Sequence, residues 1–131
     1  WLMIFDLSVD GKPTLLSRHM PSIHFPGDRK PDPAKFNFRA LSVVDNLLYG
    51  CIDAGGLHIF DVTNRSAPLA LGRYANPALL NKPRAYNGVA VAAGDGLAYV
   101  AVDYCGMEVI NVSDPSSPTL LSWYHAPRLR A

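Results

Sequence analysis

The run Asp45-Asn46-Leu47-Leu48-Tyr49-Gly50-Cys51-Ile52-Asp53-Ala54-Gly55-Gly56-Leu57-His58-Ile59-Phe60-Asp61-Val62 returns 50 residues later as Asp95-Gly96-Leu97-Ala98-Tyr99-Val100-Ala101-Val102-Asp103-Tyr104-Cys105-Gly106-Met107-Glu108-Val109-Ile110-Asn111-Val112. Working outward, Pro33–Tyr74 sets against Pro83–Tyr124 over 42 positions without a gap, and thirteen of these are identical. The identities include Asn37/Asn87, Asp45/Asp95, Tyr49/Tyr99, Asp53/Asp103, Gly56/Gly106, Pro68/Pro118 and Tyr74/Tyr124. A third, partial copy opens the chain: Leu2-Met3-Ile4-Phe5-Asp6-Leu7-Ser8 aligns with Leu57–Thr63, and Pro13 and Leu16 then fall on Pro68 and Leu71. Periods in this range belong to stacked or radially arranged units, none of which can bury its apolar face alone.

Within one unit the pattern has period two, with β-branched and aromatic residues between turn signals. Arg39–Val44 reads as strand A, Leu47–Ile52 as strand B, Leu57–Val62 as strand C and Leu69–Tyr74 as strand D, the outer edge. Asp45-Asn46 is a tight turn, matched by Gly94-Asp95-Gly96. Thr63–Pro68, and Ser113–Pro118 after it, combine Ser, Asn and Asp side chains that bond local backbone with Pro, which removes a donor, so the ladder stops there. Helices are hard to place among 11 prolines, and only Ala78-Leu79-Leu80 hints at a helical turn. Four short antiparallel strands in about 42 residues make one propeller blade. A β-sandwich is the alternative, but a sandwich does not require a gapless four-strand repeat. The sequence therefore predicts an all-β chain, a β-propeller fragment of four-stranded antiparallel blades.

The totals narrow the function classes. At 131 residues with 49% hydrophobic content the chain holds a buried core, which excludes disorder. A net charge of +1 with 18% charged residues argues against nucleic acid and anionic membranes. No apolar run approaches the ~18 residues of a membrane span. The chain begins inside an apolar run, Trp1-Leu2-Met3-Ile4, without an initiator Met or signal-peptide pattern, so a natural N-terminus is not expected there. Cys51 aligns with Ala101 and Cys105 with Gly55, whereas a disulfide framework would recur from unit to unit. Two free thiols are expected.

The segments Gly56–Asn64, Gly106–Pro115 and Leu2–Ser8 resemble the LVIVD repeat, whose core reads G-L-x-V-[IV]-D-[VI]-S-[DN]-P with a later Pro-x-x-[LV]. Asn111 departs from the motif Asp and Arg65 from the motif Pro; Asn caps a turn as well as Asp does. The resemblance implies β-propellers of bacterial and archaeal proteins, often exported or surface-associated, and implies no particular chemistry. The motif Asp at the end of strand C is expected to be a turn-capping acceptor. An extracytoplasmic or cell-surface location in a prokaryote follows from the resemblance alone.

The repeat divides the chain into a C–D half blade (residues 1–19), a long inter-blade loop (20–32), a complete blade (33–74), an insertion (75–82), a second complete blade (83–124) and the start of a further connection (125–131). Propellers close with about four to eight blades, and two and a half cannot, leaving faces and edges uncovered. The expected partners are missing blades of the same propeller or other copies of the chain.

Propeller topology puts the D–A and B–C connections at one end and the A–B and C–D turns at the other. Extra sequence gathers in the D–A connections, where repeat proteins place binding loops. The binding-face candidates are His24, Asp53, Arg84, Tyr86, Asn87, Asp103, Tyr104 and Cys105. His and Asp side chains converging near the channel would bind a metal or polar ligand. Against this, Asp53/Asp103 and Asn37/Asn87 recur, as residues stabilising their own turns would. His19 and His125 sit at or beside the Tyr74/Tyr124 position on the outermost strand, away from the channel. His58 faces Glu108 in the alignment, at a surface or inter-blade position. Gly-x-Ser-x-Gly, His-x-x-x-His, Cys-x-x-Cys and a phosphate-cradling glycine loop are absent from the sequence. Arg84-Ala85-Tyr86 and Arg128-Leu129-Arg130 are too few for a nucleic-acid surface.

The sequence favours a non-enzymatic binding or scaffold module that presents inter-blade loops to a protein or small-molecule partner. Two rivals stand: part of a propeller enzyme with a metal or polar-substrate site at the channel mouth, and a purely structural segment. No cofactor is specified. Because two open faces are expected, the 131-residue chain should associate at micromolar concentration in light scattering; a monodisperse monomer would contradict this.

Overall fold

A hairpin turn of two residues needs backbone in the left-handed region, and Asp45 (φ 54°) and Asp95 (φ 52°) provide it. Asp accepts that conformation because its short side chain bonds local backbone. The computed structural model describes residues 1–20, 37–78, 88–102 and 106–125. Among the described residues ten strands form antiparallel sheets of two, four and four strands, with no α-helix. The first sheet pairs β1 (Leu2–Asp6) with β2 (Thr14–His19). The second runs β3 (Phe38–Val44), β4 (Leu47–Ile52), β5 (Gly56–Asp61) and β6 (Leu69–Tyr74), with a short 3₁₀ turn at Asp53–Gly55. The third repeats that order as β7 (Gly88–Gly94), β8 (Leu97–Val102), β9 (Gly106–Asn111) and β10 (Thr119–Tyr124).

Local devices recur with the repeat. The A–B turn carbonyl of Asn46 accepts from Val62 N at 2.8 Å, and that of Gly96 from Val112 N at 2.9 Å. The motif residue closing strand C caps the next turn in all three copies: Asp6 Oδ1 accepts from Ser8 N at 2.8 Å, Asp61 Oδ1 from Thr63 N at 2.8 Å, and Asn111 Oδ1 from Ser113 N at 3.0 Å. The Ser8 backbone N–H, with its hydroxyl, holds the Asp6 carboxyl below the usual carboxylate range, and the Thr63 hydroxyl, with its backbone N–H, does the same for Asp61. A register shift interrupts each C–D pairing at one place, Ile4/Phe5, Ile59/Phe60 and Leu120/Ser122. The two-stranded sheet is thus a C–D hairpin with its own irregularity preserved. Gly56 (φ 80°) and Gly106 (φ 93°) open strand C, where a Cβ would collide with the carbonyl of Tyr74 or Tyr124.

Register then decides which side chains meet. Leu48 pairs with Phe60 and Tyr49 with Ile59, so alternate pairs point to opposite faces of the sheet. Leu48 and Phe60 pack against Leu2 of the first sheet. Tyr49, Cys51, Leu57 and Ile59 pack against Ala98, Val100, Val102 and Ile110 of the third. Strand β7 lies on β3 and β4, and the Pro115 turn reaches Gly72 on β6. The core is therefore inter-sheet.

The third sheet shows what one more neighbour would cover. Tyr49 and Leu57 are 5% and 0% exposed, while their counterparts Tyr99 and Met107 are 43% and 41% exposed. Leu57→Ala should cost about 3 kcal/mol, by lost burial and a cavity, and Met107→Ala under about 1 kcal/mol. Chemical denaturation of the dilute, dissociated chain measures both; equal costs would mean that the sheets do not stack this way.

Candidate functional site

The turn after strand B is built around a buried carboxylate. Asp53 Oδ2 accepts from Asn37 N at 3.2 Å and Asn37 Nδ2 at 3.1 Å, and its Oδ1 accepts from Arg39 Nε. Asp53 N donates back to the Asn37 carbonyl at 3.1 Å. The clamp fixes the start of β3, where the connection from β2 arrives, to the B–C turn. Its hydrogen bond raises the pKa of the half-exposed Arg39 guanidinium. The Gly55 carbonyl, two residues on, accepts from Arg73 Nε at 2.7 Å and lies 3.1 Å from His58 Nε2. A carbonyl only accepts, so Nε2 carries the proton in this contact.

A second polar pair sits between the four-stranded sheets. Glu108 on β9 is fully buried, and its Oε1 accepts from Asn76 Nδ2 at 2.8 Å. Asn76 follows β6 and uses its Oδ1 to accept from Ala78 N at 3.0 Å. The connection leaving one sheet is thereby tied to the next. Burial, with Glu108 and Asp53 adding to it, pushes the Cys51 thiol up to about 12. Burial first and Glu108 second push Tyr74 up to about 12 as well.

A third group lies between the first and second sheets. His19 meets the Phe60 ring edge-on at 5.5 Å, and His58 stacks on the same ring at 6.3 Å. His19 is thus packed inward from its edge strand, and its Nε2 is buried with no partner among the described residues. His58 and Glu108 are both buried, each on the face of its sheet that meets the preceding one. His125 lies 5.8 Å from the Trp123 ring.

Of the binding-face candidates, Asp53 is described, and its oxygens are taken up by Asn37 and Arg39. His24, Arg84, Tyr86, Asn87, Asp103, Tyr104 and Cys105 lie outside the described residues. Cys51 is a free, buried thiol. Among the described residues no three His, Cys, Asp or Glu side chains stand together as a metal would require. No helix there is long and apolar enough to cross a membrane. The Glu108–Asn76 pair was not anticipated. Its one signal is an acid inside strand C in phase with Val100 and Ile110, the residues that face the neighbouring sheet.

Comparison with known protein families matches the LVIVD repeat at residues 38–76 and 88–126. Neither the curated proteins nor the solved structures contain a match to the chain.

Two outcomes follow from these contacts. Asp53→Ala leaves the Asn37 amide groups and Arg39 without their acceptor and should destabilise the chain by about 2 kcal/mol in denaturant titration, with Asp53→Asn costing less. Cys51 is an acid whose folded pKa lies above its unfolded value, near 9. Its contribution is fully present below pH 9 and is lost as pH rises toward 12. Between pH 9 and 11 the wild type should lose stability faster than Cys51→Ala, by up to about 1.4 kcal/mol per pH unit. Parallel stability–pH curves would show the thiol to be accessible.

Proposed function

The chain belongs to the LVIVD repeat family, and we propose that it works as a binding or scaffold module whose stacked sheets present the connections between units to a partner. One observation carries this reading: each of those connections is held to rigid sheet at one of its ends. The Asn37–Asp53–Arg39 clamp fixes where the chain enters β3, and Asn76–Glu108 fixes where it leaves β6. The connections anchored in this way, residues 20–37 and 75–87, are the longest between strands, while the A–B turns have two residues. Long loops on a fixed scaffold are where proteins place recognition. His24, Arg84 and Tyr86 lie in these connections and offer imidazole, guanidinium and phenol groups to a protein surface or a polar small molecule. A balanced charge makes nucleic acid a poor partner. The family resemblance supports an exported, extracytoplasmic setting.

The test uses the two ends of the sheets against each other. Photo-crosslinking residues at positions 24 and 84 should give discrete adducts in the protein's own cells. The same residues at Asn64 and Ser117, in the C–D turns, should not. Equal adducts from both ends would remove the reading. A metal that co-purifies in stoichiometric amount, and is lost in His24→Ala or Asp103→Ala, would instead support an enzyme with a site at the channel mouth.

A further inference from the structure

Two departures from the repeat motif fall in the turns that follow strand C, and both have the same consequence. Arg65 stands where the motif has Pro, which leaves Asn64-Arg65-Ser66. Asn111 stands where the motif has Asp, which leaves Asn111-Val112-Ser113. Each reads Asn-x-Ser with x other than Pro, the pattern to which an N-linked glycan is attached. The turns themselves require neither departure. Asp6 and Asp61 cap their turns as Asn111 does. Asp114 Oδ1 accepts from Ser116 N at 2.9 Å as Asn64 Oδ1 accepts from Ser66 N at 3.1 Å, and Pro115 is accommodated between. In each matching turn a carboxylate, which has no amide nitrogen, makes the same bond.

The two places differ in access. Asn64, Arg65 and Ser66 are all exposed. Asn64 Oδ1 is turned toward Ser66 N, so Nδ2, the atom that takes a sugar, is the outward end of the amide and has no hydrogen-bond partner among the described residues. Asn111 is half-buried at the end of β9, and its Oδ1 accepts from both Ser113 N at 3.0 Å and Ser113 Oγ at 2.6 Å. Val112, between the two, is buried, and its N–H is taken by the Gly96 carbonyl at 2.9 Å. A transferase has to draw the tripeptide into its own site and read the Ser hydroxyl. At Asn64 that disturbs one turn; at Asn111 it pulls Val112 out of the core.

We propose that Asn64 carries an N-linked glycan, added to the folded chain at the C–D end of its sheet. The donor is an oligosaccharide on a polyprenyl diphosphate. Asn64 Nδ2 forms a bond to the anomeric carbon as the bond from that carbon to the diphosphate oxygen breaks. The polyprenyl diphosphate leaves with the electron pair, and Nδ2 gives one proton to a base of the transferase. The attached sugar is bulky and solubilising. It stands beside Leu69, the exposed residue that opens β6, at the same end as the exposed Leu7 and Val9. The connections 20–37 and 75–87 leave from the other ends of the strands and stay clear of it. The proposal rests on the extracytoplasmic setting and not on what the connections bind.

The protein is recovered from its own cells by fraction, and glycopeptide mass spectrometry reads Asn64 in each. Oligosaccharide mass on Asn64 is expected in the exported fraction and is lost in Asn64→Gln. Arg65→Pro should abolish it too, although Asn64 and Ser66 remain and the third sheet shows that Pro fits this turn. An unchanged Tm for both variants shows that the chain still folds. Export with a bare Asn64 refutes the glycan alone, whereas recovery only from the cytoplasm refutes the setting and the glycan with it. The folded 131-residue chain is also offered to a purified oligosaccharyltransferase with a polyprenyl-diphosphate oligosaccharide. Asn64 should be modified at least about tenfold faster than Asn111, because Val112 must leave the core first. Short peptides copying residues 59–69 and 106–116 should react at similar rates. The proposal is overturned if the folded chain stays bare at Asn64, if Asn111 reacts as fast, or if Arg65→Pro is still modified.

Discussion

Each four-stranded sheet has apolar side chains on both faces, and that forces everything else. A sheet wet on one side can carry polar residues there; a sheet apolar on both must be covered twice. Burying a Leu, Ile or Phe side chain contributes roughly 1.5–3 kcal/mol, against roughly 0.5–1.5 kcal/mol for a typical hydrogen bond. Stacking therefore supplies the stability, and the capped turns at Asp6, Asp61 and Asn111 determine how the strands are aligned before they stack. The contrast between Leu57 and Met107 shows this constraint directly, because register and strand geometry are the same at both and only the neighbour differs.

The polar groups inside the stack have another role. A buried carboxylate such as Glu108 is costly to desolvate, and pairing it seldom improves on a well-packed apolar residue. What it can do is fix one arrangement. Asn76 reaches Glu108 only when the connection leaving β6 runs alongside β9, so sliding one sheet over the other would break the bond and leave a buried acceptor unmet. Asp53 does the same within one unit by holding Asn37 and Arg39. These bonds convert a greasy contact, tolerant of slippage, into a defined one, and they do so where the long connections begin and end.

The strands were legible because alternation and turn residues act locally. Differences are small and have physical causes. Strand β5 runs Gly56–Asp61 rather than Leu57–Val62, since Gly56 pairs with Ile52 across a very short turn and Val62 leaves the ladder to bond the Asn46 carbonyl. Strand β3 starts at Phe38, one residue before Arg39, because Phe38 still pairs with Ile52. Asp53 and Asn37 recur at 50 residues and could be read as turn partners; Arg39 could not, as Val89 takes its place in the next unit. Glu108 was hidden because its burial depends on a neighbouring sheet, which periodicity within one unit does not describe. Asn76 was hidden because Ala126 stands at the matching position. His24, Arg84 and Tyr86 belong to connections outside the described residues, where the sequence offers no alternation to read.

The close seat between Gly72 and the turn at Pro115 has a bearing on how such chains change over generations. Any Cβ at Gly72 would run into the Pro115 backbone and the Pro118 ring. Ser17 and Ser122 occupy the corresponding places, opposite Ile4 and Val109 as Gly72 is opposite Ile59, and each carries a side chain there. A unit bearing the Pro115 turn therefore seats behind Gly72 but would be held off by either serine. Tandem duplication of the second unit would set its turn against Ser122, and an exchange of units would do the same against Ser17. Although the units share an ancestral pattern, they are no longer interchangeable parts. Their order is written into the junctions, and recombination between copies is penalised even where the strands themselves match.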